Sequence, residues 1–88
     1  DVWIEDASIA STFIQLSAQD LKLGSCWIQV RERSHTKQET AEEYIRKVLE
    51  IPKQYSVECM VAIGYPAEEK KPYEENMLLY QKLHFNKF

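Results

Sequence analysis

An α/β fold, built as a long helix, a strand, a second helix, a second strand and an extended C-terminal arm, is the architecture this 88-residue sequence predicts. Three observations carry that expectation. Apolar and small residues recur at helical spacing from about residue 4 to residue 23. Two short apolar runs, Cys26-Trp27-Ile28-Gln29-Val30 and Val57 to Ile63, are bounded by turn-forming residues. Between them, Thr40-Ala41-Glu42-Glu43 has the pattern of a helix capping box. The whole chain, 1–88, is expected to form a single small domain.

In the first helix, Ile9, Phe13 and Leu16, together with Ala10, Ile14 and Leu21, follow two overlapping helical spacings and give an unusually wide apolar face. Ala7, Ser8, Ser11, Ser17 and Ala18 add small side chains that let another backbone approach closely. Such a face suits either a central core helix or a helix shared with a second subunit. Gly24 is the expected left-handed terminator. The strand after it reads as buried on both faces, because only Gln29 interrupts its apolar run.

Arg31 to Glu39 is a polar connection, and Thr40 then starts the second helix by capping amides with its hydroxyl while Glu43 reaches back. Ala41, Ile45, Val48 and Leu49 form its apolar stripe, and Pro52 stops it by disfavouring helical geometry at Ile51. The second strand closes at Gly64-Tyr65-Pro66. Strand, helix, strand predicts a right-handed parallel crossover. Ala67 to Pro72 reads as a solvated linker, and the alternation in Lys82-Leu83-His84-Phe85 as an edge strand or extended arm.

The formal net charge of −3 and pI near 5.4 disfavour the basic surface that binds nucleic acid or anionic membrane. No apolar run is long enough to span a bilayer. Cys26 and Cys59 sit in apolar runs and are expected to be buried free thiols in a reducing compartment, which with the lack of a signal-like start points to a soluble, cytoplasmic protein. Asp1 in place of Met points to a fragment or a trimmed product. Neither the cysteines nor His35 and His84 have metal-ligand spacing. No phosphate-binding glycine loop or nucleophile elbow is present. Arg31, Arg33, His35 and Lys37 alternate with other residues, a pattern that fits a solvated loop or a basic ladder toward an anionic nucleotide.

Three blocks in order, Trp3-Ile4-Glu5-Asp6-Ala7-Ser8-Ile9-Ala10, Leu21-Lys22-Leu23-Gly24-Ser25-Cys26-Trp27-Ile28-Gln29-Val30 and Val61-Ala62-Ile63-Gly64-Tyr65-Pro66, resemble the C-terminal half of the nitroreductase family. The resemblance implies part of a nitroreductase-like α+β sandwich. It also implies FMN held between the subunits of a homodimer, NAD(P)H as reductant, and a nitro compound, quinone or similar small molecule as electron acceptor. Hydride transfer through a flavin needs no side-chain acid or nucleophile, so no catalytic residue is expected in this segment.

On that resemblance, Trp27, Ile28 and Gln29 lie along the flavin ring, while Lys70 and Lys71 fall where a basic residue meets the FMN phosphate. Gln29 either faces the ligand or closes the strand at its exposed end. The two lysines fit a phosphate contact or a solvated linker. By the same analogy, the first helix forms the dimer interface and the arm through Leu83 and Phe85 reaches the neighbouring subunit. Many relatives carry glycine where this chain has Lys22. The family's main phosphate-binding arginines belong to its N-terminal half. The alternative reading is therefore a truncated, non-enzymatic dimerisation or nucleotide-binding module.

Overall fold

The computed structural model describes residues 1–88 and contains two α-helices and a two-stranded sheet. Helix α1 spans Trp3–Asp20, strand β1 Gly24–Gln29, helix α2 Ala41–Leu49 and strand β2 Cys59–Gly64. Short 3-10 turns follow at Glu75–Met77 and Tyr80–Lys82. The mixed helix-and-strand class expected from the sequence is the one observed. The C-terminal arm contains no edge strand, and its residues are exposed.

Helix α1 begins without a side-chain cap on Val2, but Asp1 Oδ1 accepts from Trp3 N–H at 3.1 Å. Glu5 and Asp6 place negative charge in the first turn, where the helix dipole favours it. The helix ends in a Schellman arrangement: Lys22 N–H donates to Gln19 O at 3.0 Å and Leu23 N–H to Ala18 O at 2.8 Å. Lys22, with φ of 59°, occupies the left-handed position, so the expected role of Gly24 as terminator falls to Lys22 instead. Gly24 is the first residue of β1. A lysine at this position carries the steric cost that glycine avoids, roughly 1 kcal/mol. Lys22→Gly should therefore raise folding stability by about 1 kcal/mol, read from the denaturation midpoint.

The two strands pair antiparallel, with Gly24 opposite Gly64, Trp27 opposite Val61 and Gln29 opposite Cys59. This corrects the expected parallel crossover. A parallel return requires the intervening helix to cross a face of the sheet. Here α1 lies on the hairpin, whereas α2 is packed on neither strand. The chain instead re-enters the sheet beside the point where it left, because Glu58 O accepts from both Val30 N–H at 3.1 Å and Arg31 N–H at 3.0 Å.

Directly opposed residues share a face. Ser25, Trp27, Gln29, Cys59, Val61 and Ile63 therefore point toward α1, consistent with the 3.3 Å contact between Ser11 Oγ and Cys59 Sγ. Cys26, Ile28, Met60 and Ala62 point the other way, and no element covers them. The expectation of a strand buried on both faces and of two buried thiols is corrected accordingly: Cys26 is exposed and Cys59 half-buried.

Only Ala18 and Val30 form a buried apolar core, joined by buried Ser11 and Glu58. The radius of gyration is 17.4 Å, against about 12 Å for a close-packed domain of this length. Much apolar surface on α1 stays open, including Phe13 at 63% and Leu16 at 60% exposure.

The expected capping box at α2 is observed. Glu43 N–H donates to Thr40 Oγ1 at 3.1 Å, and Thr40 N–H donates to Glu43 Oε2 at 2.8 Å. The bond from the Thr40 amide, and after it the bond that the Thr40 hydroxyl donates to the same Glu43 Oε2 at 3.0 Å, hold the Glu43 carboxyl below the usual carboxylate range. A carboxyl depressed in the folded state stabilises it above the unfolded-state pKa, and that contribution disappears as pH falls through the folded-state value. Acidification below the ordinary glutamate range should thus fray the start of α2, and Glu43→Gln should flatten that dependence in residue-level NMR shifts.

Helix α2 ends at Leu49, with Glu50 in the left-handed conformation just before Ile51-Pro52. A polar clip joins it to the segment leading into β2. Glu42 Oε1 accepts from Val57 N–H at 2.9 Å and pairs with Arg46 at 2.9 Å, while Arg46 also donates to Tyr55 O. His35 stacks on Tyr44 at 3.8 Å, and Lys47 pairs with Glu39, so the basic stretch 31–37 belongs partly to this local structure.

Candidate functional site

Strand β1 brings the site together through its backbone. Antiparallel pairs alternate between those that exchange hydrogen bonds and those that do not. The Val30 N–H bond to Glu58 O sets the phase of that alternation. The amides and carbonyls of Cys26 and Ile28 therefore turn toward β2, and those of Ser25, Trp27 and Gln29 turn toward the free edge of the sheet. A free strand edge offers alternating donors and acceptors to whatever lies beside it.

The side chains of Trp27 and Gln29 are engaged with each other. Trp27 Nε1–H donates to Gln29 Oε1 at 3.1 Å, and Gln29 Nε2–H donates to Arg31 O at 3.0 Å. Gln29 is half-buried on the face toward α1 rather than free at an exposed strand end. What the Trp27–Gln29 segment turns outward along the edge is main chain. Ile28, 38% exposed, adds an apolar side chain on the uncovered face of the sheet.

A glutamate lies beneath this segment. Glu58, 7% exposed, accepts from Arg31 Nε at 2.9 Å, and Arg31 Nη1 also meets exposed Glu32 at 3.0 Å. Sequence reasoning missed Glu58. The available signal was a lone carboxylate opening an otherwise apolar run, with an arginine just beyond the end of the other strand.

The opposite end of β1 borders a cleft of about 890 Å³ between the end of α1 and the segment after β2. Lys22, Gly24, Ser25 and Lys70 line it, together with Glu68 and Glu69. Lys70 thus shares a cleft with the start of β1, although its only ion pair is a 3.7 Å contact to Glu68 and both side chains are largely exposed. Lys71 is exposed and does not line this cleft. The structure therefore groups Trp27, Ile28 and Gln29 on one strand, places Lys70 at the far end of that strand, and leaves Lys71 apart. From Ser25 to Gln29 the strand rises roughly 13 Å.

The nitroreductase family's sequence profile matches residues 2–65, the segment containing both helices and the hairpin just described. The chain belongs to the nitroreductase family. It is 38% identical over 74 residues to an Archaeoglobus fulgidus protein provisionally named NADH dehydrogenase/NAD(P)H nitroreductase, covering 84% of this chain and 40% of that one. Among solved structures, an FMN-dependent nitroreductase from Clostridium difficile R20291 superposes with a TM-score of 0.94 at 58% identity, covering all of this chain and 51% of that one. A provisionally named NADH dehydrogenase/NAD(P)H nitroreductase from Parabacteroides distasonis gives a TM-score of 0.79 at 26% identity, covering 100% of this chain and 48% of that one. The chain thus spans about half the length of these solved relatives and 40% of the archaeal one. No helix is long and apolar enough to cross a membrane.

FMN is the group this family implies. A flavin ring requires hydrogen-bond donors and acceptors along its pyrimidine edge and apolar surface against its plane. The free edge at Trp27 and Gln29 supplies the first, and Ile28 supplies apolar surface beside it. For the phosphate, Lys70 and Lys22 supply cations, but Glu68 and Glu69 in the same cleft offset them. The ring end fits these residues; the phosphate end is only partly provided.

Proposed function

We propose that these residues form part of an FMN-dependent oxidoreductase of nitroreductase type, which takes hydride from NAD(P)H and reduces a nitro compound, quinone or similar small-molecule acceptor. The observation that carries this reading is the free edge of β1, with the backbone of Trp27 and Gln29 turned outward, in a chain that matches an FMN-dependent nitroreductase over its whole length.

Bound FMN supplies the hydride-accepting and hydride-donating chemistry. In this reading the Gln29 N–H and the Trp27 carbonyl bind and orient the polar edge of the ring, and Ile28 excludes water beside it. Lys70 steadies the phosphate as a point charge, with Lys71 as a more distant cation. No acid or nucleophile is needed among them.

The protein acts as a cytoplasmic homodimer in this proposal. The support is the open apolar surface of α1, where Phe13 and Ile14 continue into a groove with Ala18 and Ile63. A stripe of that kind is normally covered by protein. The exposed arm through Leu83 and Phe85 is suited to reaching a second subunit. The free thiols of Cys26 and Cys59 suit a reducing compartment.

Anaerobic addition of NADH or NADPH to the complete FMN-loaded protein tests the reaction. Bleaching of the flavin's visible absorption, followed by its return when a nitroaromatic or quinone is added, is the expected result. A flavin that neither reductant bleaches would overturn the proposal.

A further inference from the structure

We infer that the Arg31–Glu58 pair is a positioning device for the flavin-facing edge of β1, an inference that rests on the function proposed above. Three bonds lead in series from the buried carboxylate through Arg31 to the strand, and a fourth joins the main chains of Arg31 and Glu58. Glu58 Oε2 accepts from Arg31 Nε at 2.9 Å, and Glu58 O accepts from Arg31 N–H at 3.0 Å. The Arg31 carbonyl accepts from Gln29 Nε2 at 3.0 Å, and Gln29 Oε1 accepts from Trp27 Nε1 at 3.1 Å. Arg31 is thereby held through its amide, its carbonyl and its guanidinium.

This arrangement does more than anchor a surface loop. The chain leaves β1 at Val30, which is 1% exposed, and turns at once through Glu32 in the left-handed conformation. Arg33 N–H closes the turn on Val30 O at 3.1 Å, and Glu58 ties the first residue of the turn to the segment entering β2. Arg31 is bonded to Glu58 by its amide, at 3.0 Å, and by its guanidinium, at 2.9 Å, so the residue whose carbonyl receives Gln29 is fixed at main chain and side chain. Because Gln29 and Trp27 are bonded side chain to side chain, their outward backbone groups are held in one orientation. Arg31 and Glu58 act through these residues and touch no reacting atom.

The test uses the complete protein, with FMN affinity and flavin midpoint potential as readouts. Glu58→Asp keeps the charge and the fold but withdraws the carboxylate by one methylene. Its FMN Kd is expected to rise about tenfold, and the midpoint potential to shift. The double variant Arg31→Met/Glu58→Leu replaces the pair by apolar groups of similar size, a change that leaves stability near that of wild type, and it should show the same loss of affinity. Arg31→Lys, which keeps the charge next to Glu58 but loses the planar fork, should weaken FMN binding by an amount between wild type and Glu58→Asp.

FMN affinity within twofold of wild type in Glu58→Asp, with an unchanged potential, overturns the positioning role while leaving the proposed function standing. If the double variant fails to fold, Glu58→Asp alone decides. A wild-type protein that binds no FMN overturns both, and that arm is read first.

Discussion

Arg31→Ala should cost about 2 to 4 kcal/mol of folding stability, seen as a lower urea midpoint at unchanged slope. The effect comes from what is left behind. Glu58 has a side chain only 6% accessible, and Arg31 Nε is the side-chain donor bonded to its carboxylate. Removing one partner of a buried pair strands the other charge away from water, which costs more than the pair itself contributes. Arg31 is 31% exposed, so water can partly reach the vacated space, and the loss falls toward the lower end of that for buried pairs. Glu58→Leu should be milder, because a freed arginine can turn into solvent and leaves no buried charge. Equal losses from the two single variants would contradict this account.

Proline at two adjacent positions of β1 should give opposite results. Ile28→Pro removes an amide turned toward β2 and should destabilise the hairpin by about 3 kcal/mol or more. Gln29→Pro removes an amide on the free edge, where no ladder bond is lost, and should leave the hairpin folded while weakening FMN binding at least tenfold. Gln29→Ala, which keeps the amide and loses only the side-chain bonds to Trp27 and Arg31, separates the two contributions of that residue. Its FMN affinity should lie between those of wild type and Gln29→Pro. Circular dichroism and a flavin fluorescence titration on the three variants measure both effects. Comparable destabilisation by both prolines would mean that the Gln29 amide also bonds to β2.

Local signals in the sequence were legible where chemistry acts over a few residues. Thr40 and Glu43 identified the start of α2, because a capping box is completed within one turn of chain. Gly64 marked the end of β2. The choice of left-handed residue after α1 was not legible. Lys22 accepts that conformation although glycine would do so at lower cost, since the hydrogen bonds to Ala18 and Gln19 fix where the helix must end.

Strand direction was hidden because it depends on where α2 sits. The apolar stripe of that helix gives no sign that it is tied by Glu42 and Arg46 to the segment before β2 instead of covering the sheet. The same limit explains Cys26: its apolar neighbours imply burial, but no element of these residues packs on its face of the hairpin. Among the proposed site residues, Trp27, Ile28 and Gln29 were recognisable as a segment. The outward turn of the Trp27 and Gln29 backbones was not, because it follows from the pairing register with β2. Lys70 and Lys71 look equivalent in sequence, yet only Lys70 lines the cleft next to Gly24 and Ser25.

In the proposed site, the outward backbone of Trp27 and Gln29 holds FMN. The most direct measurement is amide NMR of the complete protein during FMN titration, with the protein labelled to resolve these residues. The Gln29 N–H signal is expected to move saturably, with a stoichiometry of one flavin per chain, and to do so more than the Ile28 N–H facing β2. Flavin binding that leaves Gln29 unmoved, or no binding up to millimolar FMN, would contradict it.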